Sequence, residues 1–268
     1  MSLKIIVLAK QVPDTRNVGK DAMTAEGTVN RAALPAIFNP EDLNALEQAL
    51  RLKEQNPGST VGILTMGPPR AAEIIRQGLY RGADTGWLLT DRLFAGADTL
   101  ATSYALATAI KKIGGADVVI GGRQAIDGDT AQVGPGVSEF LEVPLITYVK
   151  SLELIPEGYR VVTQMDDGEH VIEGKFPAVM TVLKEASTPR FAPLAGWMAA
   201  AKAEIAVLDE KDVAADPIRI GLKGSPTKVV TIFPPPVKGG GEKVDARGDG
   251  AKGAKAIAAF LAKKGLVK

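Results

Sequence analysis

Over residues 1–150, short β-branched runs alternate with amphipathic segments, and this alternation limits the chain to few folds. Leu3 to Ala9 is apolar enough to be a strand in the middle of a sheet. Asn39-Pro40-Glu41-Asp42 reads as a helix start, with Asn as N-cap, Pro at the first position and acids in the first turn. Leu43, Leu46, Ala49 and Leu50 continue it as one apolar stripe to about Glu54. Thr60 to Met66 is the next strand, closed by Gly67-Pro68-Pro69. Helix, strand, helix and strand follow over Arg70–Tyr80, Gly86–Leu89, Ala97–Ile113 and Ala116–Ile120, and Leu145 to Val149 adds one more strand. The pattern predicts a doubly wound α/β fold, Rossmann-like, with a mostly parallel sheet and helices on both faces.

Ligands of such sheets sit beyond the carboxyl ends of the strands. Four stretches reach that edge: Ala9–Val12, the region closed by Asn39–Asp42, Thr65–Pro68 and Gly121–Gly134. The last carries the most chemistry. It lies between a buried strand and a segment, about Thr130 to Leu141, able to be a helix despite its Gly and Pro. Unpaired amides and the positive end of a helix dipole would seat a phosphate there. Asp127 and Asp129 repel phosphate and suit sugar hydroxyls or a helix cap better. The plain alternative is that Asp127-Gly128-Asp129-Thr130 is a turn with an N-cap and nothing more.

After residue 150 the texture changes. Leu152–Ile155 and Tyr159–Met165 read as antiparallel strands, with a second turn at Asp166–Glu169 before His170–Gly174. Pro177 to Leu183 reads as a return to the main sheet, and His170 as a solvated or locally bonded side chain. The domain reading is therefore a nucleotide-binding body over 1–185, with a hairpin insertion at 151–175. A loop over 186–200 and an arm over 201–268 follow. Ser187 to Met198 has no regular period yet carries Phe191, Leu194, Trp197 and Met198, which either fold back or meet another protein. Residues 14–34 read as a surface excursion or short hairpin and Pro234–Pro236 as a stiff extended piece. Lys238–Gly241 reads as a linker and Ala251–Lys264 as a terminal helix.

Composition excludes several classes. A net charge of +1 gives no reason to expect nucleic acid, no apolar run approaches a membrane span, and the N-terminus does not read as a signal peptide. The absence of cysteine rules out disulfides and thiolate chemistry and fits a cytoplasmic protein, and one histidine argues against a His-based metal site. There is no G-x-G-x-x-G after the first strand, no Walker A sequence and no nucleophile elbow. A nucleotide-hydrolysing or signalling domain has no nucleophile, base or metal motif to rest on. Redox work would need a borrowed cofactor.

The start Lys4 to Asp14, Asn39-Pro40-Glu41-Asp42, Gly121 to Asp129, Asp166 to Thr181 and Pro189-Arg190-Phe191-Ala192 together carry a resemblance. The chain resembles the β subunit of electron transfer flavoprotein over essentially its whole length. This implies a heterodimer with an FAD-carrying α subunit, with residues 201–268 packing on that subunit. It implies adenine-nucleotide contacts at Ala9, Lys10, Asn39, Asp42, Thr65, Met66, Gly122, Arg123, Gln124, Asp127, Gly128, Asp129, Thr130, Ala131, Gln132, Val133 and Gly134. It also implies partner recognition by Arg190, Leu194, Trp197 and Met198, with Leu194 as the anchor on acyl-CoA-type dehydrogenases.

The central loop departs from members that hold AMP, which carry Asp-Asp-x-Asn-Gln-Thr. Here Gly128, Ala131 and Val133 stand in place of an acid, an amide and a hydroxyl-bearing residue. This version is similar to electron-bifurcating members, whose β subunit holds a second FAD reduced by NADH. Their electrons go to a high-potential acceptor and a low-potential one, such as ferredoxin or flavodoxin. The AMP-type carrier is the alternative reading.

Overall fold

The computed structural model describes residues 2–14, 35–201, 203–228, 230, 239 and 241–267. In chain order it forms β1 (Lys4–Leu8), β2 (Gln11–Pro13), β3 (Ala36–Phe38), α1 (Pro40–Gln55), β4 (Thr60–Met66) and α2 (Ala72–Arg81). Next come β5 (Thr85–Leu89), α3 (Thr99–Lys112), β6 (Val118–Gly122), α4 (Val133–Leu141), β7 (Leu145–Ile155) and β8 (Gly158–Met165). β9 (Gly168–Gly174), β10 (Ala178–Val182), α5 (Leu194–Ala200), β11 (Ala206–Leu208) and α6 (Gly250–Lys263) complete it. All of the expected excursion after Asp14 falls on residues outside the described ones, as do the triple proline and half of the glycine linker.

Nine strands make one mixed sheet in the order β11-β5-β4-β1-β6-β10-β7-β8-β9, and β2 and β3 form a separate antiparallel pair. From β11 to the first half of β7 neighbouring strands are parallel, and β8 and β9 continue antiparallel. The apolar run of β1 explains its central place. Ile5 and Val7 pack with Leu46 and Ala49 of α1 and Ile74 and Ile75 of α2. Ile6 and Leu8 face Leu106 and Ile110 of α3 and Val137 of α4 on the other side. Side chains alternate along a strand, so a strand apolar at every position must be covered on both faces. The doubly wound α/β reading holds.

Four details differ from the sequence reading. β7 is one strand whose first half pairs with β10 and whose second half pairs with β8, so the hairpin extends the main sheet. α4 starts at Val133, not near Thr130, and its N-cap Gln132 makes no side-chain cap bond. α5 is a short helix where no period was legible. Residues 206–220, read as the beginning of an arm, join the body. β11 pairs with β5, Val213, Ala215 and Ile220 are buried, and the Arg219 guanidinium lies 4.1 Å from the Tyr104 ring centre.

The chain divides into the units Met1–Thr231 and Ile232–Lys268. In the second, α6 is capped by Asp249, which accepts from the Lys252 N–H at 3.0 Å, and none of its residues is buried. His170 is half exposed, with Nε2 at 3.0 Å from Asp167 Oδ1, as a locally bonded side chain. No helix among the described residues is long and apolar enough to cross a membrane.

Candidate nucleotide-binding crevice

From β1 the chain continues to β4 on one side, and from β5 it crosses back to β6 on the other. Strand order reverses here, and neighbouring loops diverge to leave a crevice. The carboxyl ends of β1 and β6 are its floor. Ala9, Lys10, Asn39, Asp42 and Gly122 to Asp129 meet at this point, so the structure brings together most of the site residues expected from sequence.

The first turn of α1 ties the two strand ends together. Asp42 Oδ2 accepts from the Lys10 N–H at 2.8 Å and Oδ1 from the Gly122 N–H at 3.0 Å. Asn39 is 0% exposed; its amide donates to Gln124 O at 2.9 Å and accepts from the Ile126 N–H at 3.2 Å. Glu41 accepts from Arg123 Nη2 at 3.1 Å and the Gln124 N–H at 3.0 Å. Sequence reasoning treated Glu41 as a first-turn acid and missed this bond pair. Gly122 permits the approach, because a Cβ there would lie 2.6 Å from Asp42 Oδ1 and 2.7 Å from the Glu41 backbone. Asn39, Asp42 and Gly122 therefore build the crevice, and their polar groups are turned on the chain itself.

Asp42 is 6% exposed, and burial pushes its carboxyl up to about 7 against the N–H donors around it. Burial disfavours the charged form, and here that cost exceeds what the hydrogen bonds return.

The walls are more open. Lys10 Nζ reaches Asp127 Oδ1 at 2.7 Å, and Gln124 Nε2 donates to Asp129 Oδ1 at 2.9 Å. Ala125 O accepts from the Gly128 and Asp129 N–H groups, so this part is a turn, as the plain alternative held. The cap is missing, however, because Asp129 lies outside α4. Asp129 (φ 48°) and Ala131 (φ 53°) are left-handed, which an Asp tolerates and an alanine resists by about 1–2 kcal/mol. Strain of this kind collects at functional loops. Gln132 turns to Thr99 Oγ1 at 2.8 Å, leaving the start of α4 without a side-chain cap. Val133 and Gly134 are its first helical amides, a seat for an anion. Around Gly128 a Cβ would meet nothing within 4 Å, and Gly128, Asp129 and Thr130 are exposed.

Beside the loop a cleft opens between Lys10, Gln11, Met66, Pro68, Arg70 and Asp127. The Thr65 hydroxyl at the end of β4 is buried and has no hydrogen-bond partner among the described residues. A buried orphan hydroxyl, an uncapped helix start and open space at Gly128 suit a nucleotide's polar tail.

The family model of the electron transfer flavoprotein domain matches residues 26–213. The chain belongs to the electron transfer flavoprotein family. It is 47% identical over 242 residues to the caffeyl-CoA reductase-Etf complex subunit CarD of Acetobacterium woodii, covering 90% of this chain and 92% of the relative. It is 46% identical over 245 residues to the electron transfer flavoprotein subunit beta of Megasphaera elsdenii, covering 89% and 90%. FixA of Azorhizobium caulinodans is 44% identical over 241 residues, covering 87% and 85%.

In this flavoprotein-family chain the segment after β10 exposes large apolar side chains. Phe191 is 95%, Leu194 78% and Met198 69% exposed. Trp197 stacks on Tyr80 of α2, ring centres 4.1 Å apart and planes 16° off parallel. Gly196 packs so closely that a Cβ would lie 2.1 Å from Tyr80 O. Sequence reasoning grouped Arg190 with this surface. The structure instead turns its guanidinium onto Glu47 and Glu54 of α1.

Proposed function

We propose that the chain is the β subunit of a heterodimeric electron transfer flavoprotein of the bifurcating type, holding FAD in the crevice between β1 and β6. When bound, that flavin would take two electrons from NADH as hydride and release them singly, one to a high-potential and one to a low-potential acceptor. The observation that carries the reading is the loop from Asp127 to Val133. Gly128 faces open space, Ala131 brings no polar group, and the helix start behind them is uncapped. Small apolar residues leave room for a bulkier dinucleotide where acid, amide and hydroxyl would close around a mononucleotide.

The residues would act by placement. Val133 and Gly134 amides would face a phosphate, and Lys10 would exchange its pairing with Asp127 for the ligand's negative charge. Asp129 and the Thr65 hydroxyl would take hydroxyl or carbonyl partners. Asp42, Glu41 and Asn39 hold the floor rigid, which keeps the cost of ordering on binding low. Two relatives support a reductase context through their names, the caffeyl-CoA reductase-Etf complex subunit and the acryloyl-CoA reductase electron transfer subunit gamma. An α subunit and an acyl-CoA-type dehydrogenase are the partners this reading requires.

The AMP-type carrier remains the second reading, since the same amides would hold AMP. Extraction of nucleotide from the co-expressed αβ complex separates them. Bifurcation expects two FAD per heterodimer, whereas one FAD with one AMP and no reaction with NADH overturns it. The triple variant Gly128→Asp, Ala131→Asn, Val133→Thr should fold, because position 128 has space and asparagine accepts the left-handed backbone of Ala131. Its expected phenotype is loss of the second FAD and gain of AMP.

A further inference from the structure

Helix α1 buries four polar side chains, Asp42, Asn44, Glu47 and Gln48. The crevice accounts for Asp42. The other three serve the chain that leaves β10. Asn44 Nδ2 donates to Lys184 O at 3.0 Å, Gln48 Nε2 to Ala186 O at 2.6 Å, and Ser187 Oγ returns a bond to Asn44 O at 3.0 Å. Glu47 accepts from Arg190 three times, from its N–H at 3.1 Å, Nε at 2.9 Å and Nη2 at 3.1 Å. Arg51 Nε adds a fourth bond at 3.0 Å, and the Arg190 fork also reaches Glu54.

This is more than is needed to seat α1, whose Leu46, Ala49, Leu50 and Leu52 already lie in the core. Burial pushes the Glu47 carboxyl up, but Arg190 and then Arg51 outweigh it and hold it below its ordinary value. The carboxylate is thus charged and forked onto one arginine. Directly beyond that arginine stand Phe191, Leu194 and Met198. A helix as short as α5 does not hold its own shape in water. Two fixings bracket the exposed side chains: Arg190 on Glu47 before them, and Gly196 with Trp197 on Tyr80 among them.

We propose that Glu47 is a positioning residue for partner docking, its buried carboxylate locking Arg190 so that Phe191, Leu194 and Met198 are presented in one fixed arrangement. The inference rests on the reading of that surface as the dehydrogenase contact. An ordered surface binds with less conformational entropy left to lose. Neither residue touches nucleotide or dehydrogenase in this account.

The test uses the co-expressed αβ complex with a purified acyl-CoA dehydrogenase as probe. Glu47→Gln puts an amide donor against the guanidinium, and Arg190→Lys keeps charge without the fork. Both should raise the half-saturating dehydrogenase concentration by about five- to tenfold, the loss of one interface anchor. The rate at saturation and the bound nucleotide should stay unchanged, and backbone amides of 191–200 should exchange hydrogen faster. Arg190→Ala should be more severe than Arg190→Lys. A general loss of fold would instead lower the saturated rate and the melting temperature, and that result overturns the positioning role. So does a Glu47→Gln complex with unchanged half-saturation and unchanged exchange while Leu194→Ala raises half-saturation. If Leu194→Ala changes nothing, the reading of the surface falls first and takes the docking role with it. Faster exchange in Glu47→Gln would still register the lock in that case.

Discussion

Asp42 joins the two strands that floor the crevice, and its ionisation is linked to the stability of that floor. Its carboxyl titrates near 7 in the folded chain, against an ordinary value of 3.8. The folded protein therefore binds this proton more tightly than the unfolded chain does. The contribution to stability is full below pH 3.8 and is lost as pH rises through about 7. Replacing the residue with Asn removes the titration. Between about pH 5 and 7 the wild-type complex should lose stability relative to Asp42→Asn by up to ~1.4 kcal/mol per pH unit. Denaturant unfolding at several pH values measures this, and parallel curves for the two proteins would refute it. The sequence marked Asp42 as a site residue through its place in Asn39-Pro40-Glu41-Asp42. It did not reveal that both oxygens are taken by backbone N–H groups, because those belong to Lys10 and Gly122, brought close only by the pairing of β1 with β6.

The short helices carry most of what periodicity could not foretell. α4 begins Val133-Gly134-Pro135-Gly136, a poor helical opening by propensity. The glycines are required by packing, since a Cβ at Gly134 would lie 2.4 Å from Thr181 and one at Gly136 would lie 2.4 Å from Ser103. α5 is held by Tyr80 in the same way. Gly196→Ala should unseat it, because the new methyl would meet the Tyr80 carbonyl. Hydrogen exchange across 194–200 should then rise towards that of an unstructured segment while nucleotide content is unchanged; persistent protection would argue that α5 stands without the contact. By contrast β1, β4, β6, α1 and α3 are legible to within two or three residues, because a continuous apolar run or a helical stripe is written in neighbouring residues. Glu47 and Arg190 lie 143 positions apart, and no local pattern connects them.

At the scale of the molecule, the sequence reading placed the end of the body too early. The pairing of β11 with β5 and the burial of Ile220 depend on a sheet edge that no segment reveals by itself. The unit from Ile232 onward is different, since α6 leaves Ile257 and Phe260 exposed and buries none of its residues. Deleting residues 232–268 should therefore leave the melting temperature of the remaining chain within about 4 °C, a change worth ~1–2 kcal/mol in a domain of this size. Association with the α subunit in size-exclusion runs should weaken, and collapse of the truncated chain would count against this division. The crevice has a further consequence for biosynthesis. Lys10 and Asp127 meet across 117 positions, and the floor between them exists only once β6 has docked beside β1. A chain emerging from the ribosome folds from its N-terminus onward. On the proposed reading, a nucleotide offered to a nascent chain shorter than about Gly134 would find half a seat, and its loading would belong to the later part of translation or to the finished polypeptide.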